Sequence, residues 1–197
     1  MPRLEILPRR IPQGLADGIG RGVGSLGITP NMISLAGLAG NIGAAFLVAN
    51  EFLIAAGAVF LVFSALDFVD GAVARATNTA SAFGAVLDAV LDRLGEAAVL
   101  VGIAWYFGDR GEYVQAGATY AALFGSVAVS YMRARAEVMG LVMREGLFRR
   151  QERVLLVGLG LLFNGLAVVA WVLAVLANLT ALQRFWLIAK GLRGRPE

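Results

Sequence analysis

The chain has 197 residues, of which 58% are hydrophobic and 16% charged, and its mean hydropathy is +0.73. A soluble domain carries fewer apolar residues, so this composition indicates one polytopic helical membrane domain and leaves no room for a soluble domain beside it. Lys and Arg number 17 against 14 Asp and Glu, and the absence of Cys and His excludes disulfides, thiolate and histidine metal sites, cysteine nucleophiles and Ser-His-Asp triads.

The first 29 residues mix Arg, Pro and Gly with apolar residues, which recur every three or four positions from Ile11 onward. That spacing predicts a short amphipathic helix lying in the membrane interface, with a disordered basic leader as the alternative. Thr29, Pro30 and Asn31 predict a break and a helix start, because proline is favoured in the first helical turn. The apolar run over residues 32–49 then predicts the first membrane-spanning helix.

The next two predicted helices meet at one membrane face. A turn at residues 50–51 is followed by a second helix from Phe52. A crossing needs about 20 residues, so this helix reaches the far interface at residues 71–75. The third helix restarts at residues 80–83 and continues to Phe107.

Three further helices complete the prediction. A polar turn over residues 108–112 precedes a fourth helix over residues 113–136. The apolar run over residues 154–163 is short for a crossing and requires a helix start near Gln151, inside a charged loop. A sixth helix covers residues 166–188. The predicted fold class is therefore all-α, a polytopic membrane protein with six transmembrane helices and an N-terminal amphipathic interfacial helix.

Six crossings place both termini on one side of the membrane. Of the 17 basic residues, only Arg110 falls in a loop on the other side. The positive-inside rule therefore predicts an integral membrane protein whose acidic residues face the cytoplasm, and it favours the anionic membrane surface over nucleic acid as the partner of the arginines. The predicted division is a basic amphipathic juxtamembrane segment (1–29), a six-helix domain (30–190) and a basic cytoplasmic tail (191–197).

Four carboxylates interrupt this apolar sequence: Asp67, Asp70, Asp88 and Asp92. One Asp at the centre of a membrane helix costs roughly 2.5–3.5 kcal/mol, so the four must be paired, hydrated, near an edge or bound to cations. The spacings of three and four residues project each pair from one helical face. Oxygen ligands without His or Cys favour hard cations such as Mg²⁺, Mn²⁺ or Ca²⁺, and two such ions serve in-line displacement at phosphorus. The residues therefore predict phosphate chemistry.

Eight residues in this stretch stand at set gaps, namely the four aspartates with Gly71, Ala74, Arg75 and Gly84. They resemble the signature of the CDP-alcohol phosphotransferases, membrane enzymes of phospholipid synthesis. The resemblance implies that the first three aspartates hold two Mg²⁺ ions, or Mn²⁺, on the pyrophosphate of a CDP-lipid, and that Asp92 completes the metal site and is the catalytic base. It also implies a homodimer, release of CMP, and a site for CDP-diacylglycerol or CDP-archaeol formed by Asn31, Gly71, Ala74, Arg75 and Gly84.

A second group of arginines resembles the family branch that makes phosphatidylinositol phosphate: Arg133, Arg153 and Arg184. The resemblance implies that these three bind the phosphate of inositol phosphate as the acceptor. Arg184 also interrupts an apolar run and requires a partner at that depth. The alternative for Arg133, Arg135 and Arg153 is anchoring at the cytoplasmic face with salt bridges to Glu137 and Glu152.

Other functions remain open at this point. Within the family, glycerol 3-phosphate, serine or inositol are alternative acceptors, and an archaeol lipid or CDP-inositol is an alternative donor. A carboxylate-based ion transporter is an alternative of another class, although its site is expected near the midplane at a repeat interface, and these acids cluster toward one face. A structural protein with metal-bridged helices explains the acids but not the arginines.

Overall fold

A computed structural model of the chain describes residues 13–141, 146 and 148–193, apart from the side chains of residues 13–17, 19 and 68. These ranges contain helices and no strand, as the sequence predicts. The predictions for residues 1–12 and 194–197 lie outside the described residues. The helices are α1 (Gln13–Ser25), α2 (Pro30–Ala49), α3 (Leu53–Ser64), α4 (Leu66–Ala76), α5 (Ala82–Asp109), α6 (Tyr113–Val138), α7 (Arg150–Leu162) and α8 (Leu166–Arg193).

Three helical segments in the described ranges are long and apolar enough to cross a membrane: Pro30–Ala49, Leu53–Ala76 and Leu166–Arg193. Helices α5 and α6, with 28 and 26 residues, have the length for a crossing. Helix α7 has 13 residues, and at 1.5 Å per residue it covers about 20 Å of a hydrocarbon core about 30 Å thick. The fold is an all-helical membrane fold, and six crossings stay a prediction.

Two hydroxyl caps start the helices that lead into the acidic region. Thr29 Oγ1 accepts a hydrogen bond from the Met32 N–H at 3.3 Å, and Ser81 Oγ accepts one from the Gly84 N–H at 3.0 Å. Such caps satisfy backbone donors that have no partner within the helix. The two helix starts are neighbours, because a Cβ added to Gly84 would lie 3.4 Å from Asn31 Oδ1.

The second predicted crossing is interrupted once. Helix α3 ends at Ser64 and α4 begins at Leu66, with Ala65 between them at φ −72° and ψ −18°. The sequence predicts one helix over this stretch, and the structure retains one helical segment, Leu53–Ala76, with a one-residue interruption at Ala65. The interruption places Asp67 in the first turn of α4, where the helix dipole favours an acidic side chain.

Helix α1 packs against α4, beside the acidic region. A Cβ at Gly20 would lie 2.6 Å from the carbonyl oxygen of Ala72, and one at Gly24 would lie 2.7 Å from Thr77 Cγ2. These glycines weaken α1 as an isolated helix, but they allow its backbone to approach α4 closely. An interfacial position for α1 remains a prediction.

At the end of the helix bundle opposite the acidic residues, an arginine connects two interhelical turns. Arg110 Nη1 donates to Glu51 Oε1 at 3.0 Å, and Arg110 Nε contacts Glu112 Oε1 at 3.4 Å. The α2–α3 and α5–α6 turns therefore lie on the same side, as an alternating arrangement of helices requires. Between this end and the acidic end, an apolar core includes the fully buried side chains of Phe60 and Ile103.

Candidate active site

Helices α4 and α5 gather three aspartates around one point. Asp67 lies in the first turn of α4, and Asp88 and Asp92 lie one turn apart on one face of α5. One carboxylate oxygen from each residue lies within 4.8 Å of the other two. Oxygen ligands of Mg²⁺ and Ca²⁺ stand about 2.0–2.6 Å from the ion, so one cation can bridge oxygens at this separation.

The donor set of this cluster fits a hard divalent cation. All of its candidate ligand atoms are carboxylate oxygens. Asp88 Oδ1 is buried and accepts no hydrogen bond from the described part of the chain. A buried carboxylate oxygen that lacks a donor carries a large desolvation cost, which a bound cation would offset.

Asp70 lies beside this cluster rather than within it. Its side chain is buried, and Oδ2 accepts a hydrogen bond from Ser34 Oγ of α2 at 2.9 Å. The carboxylate of Asp88 is close enough to that of Asp70 for their negative charges to repel each other. Ser34 has no role in the sequence-based prediction. The signal that points to it is a hydroxyl residue three positions after Asn31, on the same face of an otherwise apolar helix.

Arg150 lies between two of the clustered aspartates. This residue is the first of α7, and its Nη1 donates a hydrogen bond to Asp67 Oδ2 and forms a salt bridge with Asp92 Oδ2 at 2.9 Å. The sequence-based prediction leaves Arg150 in a charged loop without a role. Because α7 begins at residue 150, Arg150 and Arg153 lie three residues apart on one helical face. A helix start placed at residue 150 would therefore have indicated that Arg150 lies near the same site as Arg153.

Arg153 forms a buried bidentate ion pair with Glu96 of α5. The distances are 2.6 Å from Nε to Oε1 and 2.9 Å from Nη2 to Oε2, and Ser126 Oγ of α6 also donates to Oε1 at 2.8 Å. Glu152 is the predicted alternative partner of Arg153, and this prediction is wrong, because Glu96 takes that position. Glu152 instead accepts the backbone N–H of Arg149 at 2.7 Å and caps α7.

The other two predicted acceptor-binding arginines have different partners. Arg184 is buried in α8, and its Nη1 donates to the Val129 carbonyl oxygen of α6 at 2.7 Å. Arg133 is exposed and pairs with Glu137 at 2.9 Å, which is the predicted anchoring alternative for that residue. The structure therefore places one of the three arginines on the surface and two in the helix bundle.

The residues predicted to bind the nucleotide lie at the starts of α2 and α5 and along α4. Asn31 and Gly84 face each other at the two helix starts. A Cβ at Gly71 would lie 3.3 Å from Arg75 Nη1, and the Arg75 side chain is exposed. Ala74 lies between them on α4 and is half-buried. Small residues therefore occupy the helix starts and the part of α4 that follows Asp67 and Asp70, and the guanidinium of Arg75 is exposed beside Gly71.

Comparison with known proteins agrees with this geometry. The family model for CDP-alcohol phosphatidyltransferase matches residues 27–191. The archaetidylinositol phosphate synthase of Pyrococcus horikoshii is 37% identical over 171 residues, which cover 86% of this chain and 88% of the relative. The resemblance drawn from the acidic stretch is thereby confirmed over most of the chain.

Solved structures give the same result for the fold. The crystal structure of Mycobacterium tuberculosis phosphatidylinositol phosphate synthase with CDP-DAG bound superposes with a TM-score of 0.85 at 31% identity, covering 93% of this chain and 99% of that chain. The structure of that enzyme in complex with manganese and citrate gives a TM-score of 0.82 at 32% identity, covering 92% and 93%. The chain therefore belongs to the CDP-alcohol phosphatidyltransferase family and is an enzyme of that family.

Proposed function

We propose that the protein transfers the phosphatidyl group of CDP-diacylglycerol to inositol phosphate, giving phosphatidylinositol phosphate and CMP. In this reaction an acceptor hydroxyl oxygen forms a bond to the phosphorus of the phosphatidyl group, and the bond from that phosphorus to CMP breaks. The observation that carries the proposal is the cluster of Asp67, Asp88 and Asp92 within a chain of this family. The archaeal relative and the mycobacterial enzyme, both inositol phosphate lipid synthases by name, support the choice of acceptor.

The aspartates have two roles in this proposal. Asp67, Asp70, Asp88 and Asp92 hold two Mg²⁺ ions, with Mn²⁺ as the alternative. Bound cations neutralise the charge that develops on the pyrophosphate oxygens during displacement. Asp92 also accepts the proton of the acceptor hydroxyl as that oxygen attacks. The carboxylate donor set and the orphaned Asp88 Oδ1 support the metal assignment.

The substrates use the residues around the cluster. Asn31, Gly71, Ala74, Arg75 and Gly84 bind the nucleotide of the CDP-lipid, and the close approach of Asn31 to Gly84 supports their grouping. Arg133, Arg153 and Arg184 bind the acceptor phosphate. Nε and Nη2 of Arg153 already donate to Glu96, so the acceptor phosphate accepts its hydrogen bond from Nη1 of that residue. CDP-archaeol is the alternative donor.

The membrane arrangement follows the sequence prediction. Six crossings are formed by α2, by α3 with α4, and by each of α5 to α8, while α1 lies in the interface and the active site faces the cytoplasm. The contact of Arg110 with Glu51 on the opposite side supports this topology. The division into residues 1–29, 30–190 and 191–197 and a homodimeric assembly belong to the same proposal.

Removal of divalent cations is expected to abolish turnover. CMP release from CDP-diacylglycerol would be measured with the full chain in detergent micelles, with inositol 1-phosphate as the acceptor. Release should fall to background in EDTA and return when excess Mg²⁺ or Mn²⁺ is added. The carboxylates of the site are themselves anionic, so the charge of the pyrophosphate is neutralised only when cations are bound. A chelator that does not bind the essential ion, added at equal ionic strength, is the control. Undiminished release in EDTA would contradict the proposed metal site.

The acceptor is tested by a panel of inositol 1-phosphate, glycerol 3-phosphate, serine and inositol. Inositol 1-phosphate is expected to give the highest kcat/KM. Arg184→Gln should raise the KM for this acceptor at least about tenfold and leave the KM for the CDP-lipid unchanged, since one charge-assisted contact is removed. Lys190→Gln on the same helix removes an exposed charge and is the matched control. Higher kcat/KM with glycerol 3-phosphate would retain the family but exclude the proposed acceptor.

A further inference from the structure

Arg150 uses a single nitrogen to contact two of the three clustered aspartates. Nη1 bridges Asp67 Oδ2 on α4 and Asp92 Oδ2 on α5, and no other described basic side chain forms a salt bridge with either residue. Both oxygens belong to carboxylates that can contribute to the same cation position. The guanidinium therefore offsets the negative charge of two carboxylates that would also hold a divalent cation.

A divalent cation and this guanidinium compete for the same carboxylates. An ion held by Asp67 and Asp92 would lie within a few ångströms of Nη1, and two positive charges at that separation repel strongly where water is scarce. The side chains of Asp67, Asp92 and Arg150 are all largely buried, so screening by water is weak. Binding of the ion and the two ion pairs of Arg150 therefore oppose each other.

The position of Arg150 in its helix shows what holds it in place. It is the first residue of α7, where the positive end of the helix dipole disfavours a cationic side chain. Its Nε is buried and has no partner in the described part of the chain, so two carboxylate contacts through Nη1 account for its placement. Arg153, one turn further along α7, is held much more completely by its bidentate pair with Glu96. Arg150 is thus the arginine of α7 that can move away at lower cost.

We propose that Arg150 is an exchangeable counter-ion of the metal site. It pairs with Asp67 and Asp92 when no divalent cation is bound, and it leaves them when the cation binds, so its removal strengthens metal binding. The inference rests on the proposed use of a divalent cation by these aspartates. It assigns Arg150 a role that neither anchoring at the membrane surface nor acceptor binding requires.

The test is Mn²⁺ affinity, measured with Mn²⁺ alone by the loss of the free-ion electron paramagnetic resonance signal. The full chain in detergent micelles would be compared with Arg150→Gln. The variant should bind the first Mn²⁺ about tenfold more tightly, because the ion no longer displaces a charge-assisted hydrogen bond. Arg149→Gln is the matched control, since it removes the same charge one residue away, where the side chain does not contact the aspartates.

The outcomes separate this inference from the proposed metal site. Equal or weaker Mn²⁺ binding by Arg150→Gln, or an equal gain in both variants, would overturn the counter-ion role. An absence of Mn²⁺ binding to the unmodified chain would instead reject the metal site itself.

A second measurement uses the unmodified chain and does not depend on the folding of a variant. Arginine modification by phenylglyoxal, mapped by mass spectrometry, should increase at Arg150 when Mn²⁺ replaces EDTA, while Arg153 remains protected by Glu96. Unchanged or lower modification of Arg150 in Mn²⁺ would contradict its release.

Discussion

Asp92→Asn is expected to reduce turnover of CDP-diacylglycerol by a factor of about 10²–10⁴, the contribution typical of a general base. Asn keeps the shape of the side chain but cannot accept the proton of the acceptor hydroxyl or provide a charged oxygen to a cation. Asp67 and Asp88, the other members of the acidic cluster, are unchanged in this variant, so the loss reports on Asp92 alone. CMP release under saturating acceptor and cation is the measurement.

The matched control for this variant is Asp109→Asn. Asp109 is the last residue of α5, exposed at the opposite end of the same helix, and its replacement should leave turnover within a factor of about two of the unmodified enzyme. Mn²⁺ binding divides the two roles of Asp92: a variant that binds Mn²⁺ normally but turns over slowly has lost the base, and one that loses both has lost a metal ligand. Near-normal turnover of Asp92→Asn would exclude both roles.

The sequence predicts the helices well where local chemistry determines them. Thr29 and Ser81 each provide a hydroxyl before an apolar run, and both cap the helices that follow. The start of α7 at Arg150 agrees with a helix that begins inside the charged segment near Gln151. The break at Ala65 has no local signal in Pro or Gly, so the sequence gives no indication that α3 and α4 are separate.

The acidic part of the site is also accessible from sequence, because spacing along a helix determines a shared face. Asp88 and Asp92 lie four residues apart, and Asp67 lies on the preceding helix at the same depth. The same spacing continues to Glu96, which is four residues beyond Asp92. Extending the acidic face by one turn would have identified a third carboxylate on α5.

The pairing of the arginines cannot be obtained in this way. Arg153 is one residue from Glu152 in sequence, yet it pairs with Glu96, 57 positions away, because the first turn of α7 lies within side-chain reach of the acidic face of α5. The two contacts Arg150–Asp92 and Arg153–Glu96 follow that face in order. Such pairs depend on which helices are neighbours and on their register, and a single sequence does not contain that information.

This pairing leads to an expected loss of stability. Glu96→Ala leaves Arg153 as a buried charge without its bidentate partner, and breaking a buried pair in this way costs about 3–5 kcal/mol. Glu96 and Arg153 are 6% and 2% exposed, so water cannot replace the lost contact without rearrangement of the helices. The free energy of unfolding would be measured by SDS titration of the full chain in detergent micelles, followed by tryptophan fluorescence.

The surface pair of Arg133 and Glu137 gives the matched comparison. Glu137→Ala removes an i,i+4 partner of an arginine whose side chain is 58% exposed, and such pairs contribute about 0.3–0.5 kcal/mol.

A double replacement, Glu96→Leu with Arg153→Met, removes both buried charges and should recover most of the stability lost in Glu96→Ala, because no unpaired charge remains. The same double variant should stay inactive toward inositol phosphate if Arg153 Nη1 binds the acceptor. Equal destabilisation by Glu96→Ala and Glu137→Ala would show that the buried pair contributes no more to the stability of the fold than the surface pair does.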